Sequence, residues 1–150
     1  MAVKKQILQI ALLKEDFFEG AALIGIASPL PPSRFCALLN RSFALGLQRE
    51  PEQDLFMHTS GKEGAPGYFP VFQEQLEAEA SDMALYRLKG PDGEMLLPET
   101  PHLDYMWLLR SNTSDQDAEG YARVLRRLPG VQMAQVIPVE QLRNAANLVL

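Results

Sequence analysis

Four side chains capable of chemistry crowd into one short stretch, Leu97-Pro98-Glu99-Thr100-Pro101-His102-Leu103-Asp104-Tyr105. Glu99 and Asp104 stand five residues apart. A carboxylate pair of this kind could divide general acid and base work, or with His102 approach a divalent metal. A metal site usually needs three or more converging ligands. The structural alternative is the favoured one. Pro98 and Pro101 restrict the backbone and remove two donors, framing a rigid excursion between strands. Glu99 would then accept hydrogen bonds from loop amides. Asp104 would cap the chain's re-entry or pair with a cation, and Tyr105 would pack its ring. For a cation, Arg34 and Arg41 on the first helix are the candidates, because a planar guanidinium binds a carboxylate in bidentate fashion.

No other stretch offers a recognisable catalytic set, and no residue is assigned as catalytic. His58 and His102 are the two histidines, each read as a solvated loop residue. GxSxG, HExxH and Cys–His arrangements are absent from the sequence. Gly61, Gly64 and Gly67 lie in a glycine-rich loop without the spacing of a phosphate cradle. The single cysteine, Cys36, excludes an internal disulfide and a CxxC metal clip, and reads as a small buried hydrophobe on a helix. Neither metal nor cofactor is expected.

Composition narrows the class further. A chain of 150 residues with 47% apolar residues can build one domain with a core of its own. The formal net charge of −5 opposes nonspecific adhesion to nucleic acid. Arg123, Arg126 and Arg127 accordingly read as a solvated helix end that complements the helix dipole, rather than as an RNA patch. No run of apolar residues approaches a bilayer span. The opening Met1–Ile10 is read as no secretory leader, since Gln9 interrupts its apolar run and no A-x-A-like cleavage site follows. Cytoplasmic residence is expected, without a membrane or nucleic-acid partner.

The elements that would hold the motif follow from periodicity. Alternation predicts a strand over Val3–Leu13, where a helix competes because Ala, Leu and Lys are helix formers. Length and β-branched residues favour a buried strand or extended segment over Ala21–Ser28, and strands are also expected over Met83–Leu88, Glu94–Leu97, Leu103–Arg110 and Val131–Ile137. Gly25 inside Ala21–Ser28 suggests a bulge or a close backbone approach. Leu55–Met57 and Tyr68–Phe72 read as two strands joined by a long hairpin loop, and Gln73–Ala80 as a polar link that could hold a helical turn. The turn signal Gly90-Pro91-Asp92-Gly93 should pair Glu94–Leu97 with the preceding strand. Leu103, Tyr105, Trp107 and Leu109 should share one face of a central strand that is covered on both sides. Helical spacing marks Ser33–Leu47, with Ser33 a possible N-cap, and Asp115–Leu128, with Ser114 as its start. Val139–Ala146 reads as a short helix.

The motif resembles that of the bacterial IPExxxVDY family, uncharacterised proteins named for the pattern. Leu97 stands for the family's Ile and Leu103 for its Val, and both keep apolar character. Leu23-Ile24-Gly25-Ile26, Leu39-Asn40-Arg41 and the closing Asn147-Leu148 are similar landmarks in the expected order. The resemblance implies one domain and a structural role for the motif, and supplies no catalytic residue.

The expected fold is α+β. A single domain over residues 1–150 carries a mainly antiparallel sheet packed by two principal helices, with a short C-terminal helix. The expected function is that of a noncatalytic protein-binding or assembly module, with a protein partner or a homodimer. The alternative is a small enzyme or ligand-binding protein using Pro98, Glu99, Asp104, Tyr105 and Arg34 or Arg41. That alternative requires the side chains to converge on an open pocket.

Overall fold

The computed structural model of the chain describes residues 12–57, 67–75 and 82–150. Helix α1 covers residues 12–18 within the described part. There follow β1 (Ala21–Ala27), α2 (Pro32–Phe43), β2 (Gln48–Arg49), β3 (Leu55–Met57), β4 (Gly67–Phe69), β5 (Val71–Gln75), β6 (Asp82–Arg87), β7 (Tyr105–Arg110), α3 (Ser114–Leu125) and β8 (Met133–Ile137). Six strands form one antiparallel sheet in the order β2-β5-β6-β7-β1-β8, and β3 pairs with β4 beside it. This is the expected α+β architecture.

Several elements differ from their expected form, for physical reasons. Leu12 and Leu13 are helical, so the end of the expected first strand follows the helix-forming tendency of Ala, Leu and Lys; the rest of that strand lies outside the described residues. The loop with Gly61, Gly64 and His58 also lies outside them, as do residues 76–80 of the expected Gln73–Ala80 link, whose start is not a link or helical turn but the end of strand β5. Helix α2 begins at Pro32, whose missing N–H costs nothing in a first turn, and Pro31 occupies the N-cap, so Ser33 is already inside. The helix stops at Phe43 because Ala44 turns left-handed at φ 53°. Asn40 then closes the exit: its side-chain amide donates to Leu47 O at 3.0 Å and its carbonyl accepts Leu47 N–H at 2.8 Å. Helix α3 starts at Ser114 behind Thr113, and its last expected turn unwinds into turns through Leu128. The expected C-terminal helix is two 3-10 turns, Val139–Gln141 and Ala145–Leu148.

Strand β7 is central, with β6 on one side and β1 on the other. Since β6 already pairs with β5 and β7, Glu94–Leu97 has no free edge to join. The predicted hairpin is a short one: a Lys89–Met95 bridge, with Gly90 N–H donating to Glu94 O and Leu96 N–H to Leu88 O. The two faces of β7 enter different cores. Tyr105, Trp107 and Leu109 pack with Phe35, Cys36, Leu38 and Leu39 of α2 and with Ala118, Ala122 and Leu125 of α3. Met106 and Leu108 face the other way, against Phe18 of α1, Leu88, Leu96, Leu97, Leu103, Leu142, Ala145 and Leu148. Leu103 therefore lies on the face opposite Tyr105, contrary to the alternation. It precedes the strand and is set by a turn in which its N–H donates to Thr100 O at 3.1 Å.

Gly25 lets the motif lie against the sheet. Its register with both neighbouring strands is regular, so close approach rather than a bulge explains it. A Cβ at this position would stand 2.6 Å from Leu103 Cδ1 and 3.1 Å from Ile137 Cγ1. Gly25→Ala is expected to destabilise the domain by about 1–3 kcal/mol through overpacking. Denaturant unfolding followed by the fluorescence of Trp107, the only tryptophan, measures this; an unchanged midpoint would show the contact to be loose.

Candidate functional site

The motif emerges from the sheet after Leu88 and folds as two successive turns. Thr100 N–H and Oγ1 both donate to Leu97 O, at 3.0 and 3.2 Å, and Leu103 N–H returns to Thr100 O. Leu96, Leu97 and Leu103 are essentially fully buried beneath the turns, whereas Pro98, Pro101 and His102 are exposed. The apolar positions of the motif thus anchor it, and its polar positions decide what it touches.

Glu99 reaches the C-terminal segment. Its Oε2 accepts Asn144 N–H at 2.6 Å and its Oε1 accepts Asn144 Nδ2 at 2.9 Å. Burial pushes the carboxyl upward, but the Asn144 side chain and the main-chain N–H groups of Glu99, Asn144 and Arg143 outweigh it, and the pKa lies below the ordinary glutamate value. Two further bonds hold the same segments: Asn147 Nδ2 donates to Leu96 O at 3.0 Å, and Tyr86 Oη donates to Leu148 O at 2.8 Å.

Asp104 turns to the opposite neighbour. Its Oδ2 accepts Ser28 N–H at 2.8 Å and its Oδ1 pairs with Lys89 Nζ at 2.8 Å. Its main chain is also engaged, N–H to Ile26 O and C=O to Leu88 N–H. Ser28, 1% exposed, is a junction: its Oγ donates to Gly130 O at 2.5 Å and accepts Leu30 N–H at 3.2 Å. Tyr105 stacks on Phe35 with centroids 4.2 Å apart, and its hydroxyl donates to Leu30 O at 2.5 Å. Burial, with Asp104 and Cys36 adding to it and Arg87 opposing it, pushes the phenol up to about 12, so it stays a donor.

The expected cations are not those found. Lys89, two residues beyond β6, takes Asp104, and Arg87 stacks over the Tyr105 ring at 4.9 Å. Arg34 and Arg41 are exposed on α2, and neither forms an ion pair among the described residues. Both arginines are expected there on guanidinium chemistry alone, which carries no information about their position in the fold. Lys89 carried a usable signal, because the Gly90–Gly93 turn folds it back toward the motif. Ser28 acts through its main-chain N–H and Asn144 through both its N–H and its side-chain amide, at long separation, and neither carried a signal.

Glu99 and Asp104 are therefore held by separate partners on separate segments. Cys36 is buried on α2, where desolvation raises its thiol pKa against the lowering effect of Asn40, and its Sγ donates to Leu47 O at 3.5 Å. Among the described residues no group of three or more His, Cys, Asp or Glu is arranged to hold a metal ion, and no helix is long and apolar enough to cross a membrane. A polar hollow of about 440 Å³ opens beside β2 and β5, lined by residues such as Gln48, Glu50, Glu52 and Glu74; no motif residue lines it. No family model matches the chain, nor does any curated protein or solved structure.

Asp104→Ala strands the buried Ser28 N–H and should cost about 1–3 kcal/mol. Lys89→Ala should cost only about 0–1 kcal/mol, because its ammonium is partly solvated. Chemical denaturation of both variants checks the inequality; equal losses would make the ion pair, not the amide, the main partner. For Glu99, a lowered folded-state pKa means its contribution is present above the unfolded value and lost as pH falls through the folded one. Glu99→Gln should cost about 1 kcal/mol near neutral pH. Unfolding curves taken between pH 7 and 2.5 should show that gap closing below the ordinary carboxylate range of about 4.3.

Proposed function

We propose that the chain is a small cytoplasmic protein of the bacterial IPExxxVDY kind that works as a noncatalytic protein-binding or assembly module. The observation carrying this reading is the commitment of both motif carboxylates to main-chain amides. Each oxygen of Glu99 and Asp104 already accepts a hydrogen bond or ion pair from the protein. A general base or ligand-binding carboxylate needs a free lone pair directed at the reacting group. The carboxylate and arginine alternative needs Glu99, Asp104 and Arg34 or Arg41 around one opening. The two acids instead brace the turns from opposite ends, and the arginines stand on α2, outside those contacts.

A motif spent on bracing leaves recognition to the outer surface of the domain. The proposal requires neither metal nor cofactor. Its test combines light scattering of the purified chain with affinity capture from a native bacterial extract. A defined partner, retained stoichiometrically and equally by folded Glu99→Gln and Asp104→Asn variants, is the expected result. A monomer of 16.7 kDa that retains nothing above a control surface would count against the module. Selective loss of small-molecule binding in those two variants would restore the enzyme reading.

A further inference from the structure

Among the described residues the sheet ends at β8, and its outer edge carries an arginine where a neighbouring strand would bind. Strand β1 meets β7 through its even-numbered residues: Ser111 N–H donates to Gly20 O and Asp104 N–H to Ile26 O. Its odd-numbered residues face β8 and lie opposite Met133, Gln135 and Ile137. By the alternation of an antiparallel ladder, the main-chain groups of Ala134 and Val136 point away from the sheet. Among the described residues no strand lies beyond them. The run Val131–Val139 holds no charged side chain, and Met133 within it is exposed. An uncharged open edge of this kind is a template for another strand.

The edge is also self-complementary. Two copies of β8 placed antiparallel about a two-fold axis at Gln135 would set Ala134 against Val136 of the second copy. Both outward N–H groups and both outward carbonyls of each strand would then be paired. Arg126 stands in the way. It is the C-cap residue of α3, and its Nε donates to Ala134 O at 2.7 Å. The guanidinium occupies one outward acceptor and fixes a positive charge against the edge; in a two-fold pair, two such charges would be brought into one interface.

We propose that Arg126 guards the β8 edge and keeps copies of this chain from joining sheet to sheet. The test is sedimentation of the full chain over a range of concentrations, with near-ultraviolet dichroism confirming a folded core. Wild type should show no pairing through β8. Arg126→Ala should shift with concentration toward twice 16.7 kDa, and Arg126→Gln, which keeps helix propensity but lacks the guanidinium, should do the same. Adding Val136→Pro removes one outward N–H that the β1 ladder does not use, and should return either variant to the single-chain mass. The guard is refuted if a folded Arg126 variant stays at the single-chain mass. It is refuted equally if the dimer survives Val136→Pro, or if wild type already forms a dimer that Val136→Pro abolishes.

Discussion

A central strand that is apolar on both faces has to be covered twice, and the rest of this structure follows from that requirement. Tyr105, Trp107 and Leu109 are covered by α2 and α3 in the ordinary manner of an α+β domain. Among the described residues, Met106 and Leu108 face a side that receives α1, the β3–β4 ribbon through Phe69 and Leu55, the motif turns and the 3-10 turns of the C-terminal segment. A helix brings its hydrogen bonds with it. Irregular chain laid over an apolar face does not, and each buried N–H or C=O must find a partner elsewhere. The polar residues of the motif and of the C-terminal segment supply those partners.

The chemistry of the motif reads naturally in that light. A carboxylate offers two acceptor oxygens and stronger bonds than a neutral amide, so it can hold two donors from a different segment at once. Glu99 does this for Asn144, joining the motif to the C-terminal segment across 45 positions. Asp104 does it for Ser28 and Lys89, joining the motif to the end of β1 across 76. Ser28 extends the brace to Gly130, after α3. Tyr105 adds a third tie through Leu30, while its ring remains in the helix-covered core. Asp104 and Tyr105, adjacent in sequence, thus both tie the motif to the Ser28–Leu30 segment that follows β1.

How much of this was legible depends on range. Strands β1 and β7, helices α2 and α3 and the β3–β4 pairing are written in local periodicity and in turn residues, and appear where those signals place them. Glu94–Leu97 pairs antiparallel only with Leu88–Gly90 and forms no sheet strand, because a strand needs an edge as well as a pattern, and both edges of β6 are taken. Leu103 failed because period two holds only inside a strand, and a turn set its direction. Within the motif, the type of partner was readable but not its identity: a carboxylate among prolines calls for amides and a cation. Which amide and which cation depend on contacts between segments distant in the chain. Arg34 and Arg41 had the better chemistry for a bidentate pair, and Lys89 had the better position.

The arginines late in α3 carry the same lesson to the edge of the sheet. Arg123, Arg126 and Arg127 are equivalent in sequence, three exposed cations at a helix end with the sign that suits the dipole. Only their phase against β8 separates them. Arg126, at the C-cap, is brought over Ala134, and its bond there exists because α3 packs along β1 and β8. The opposite end of the sheet needs less protection: β2 is two residues long, and Arg49 within it is drawn onto Asp54 and Tyr68. A short strand gives a second chain little to pair with, whereas the five residues of β8 do not have that defence. The longer edge is the one whose outward carbonyl is occupied by a side chain, which is where an open sheet has most need of it.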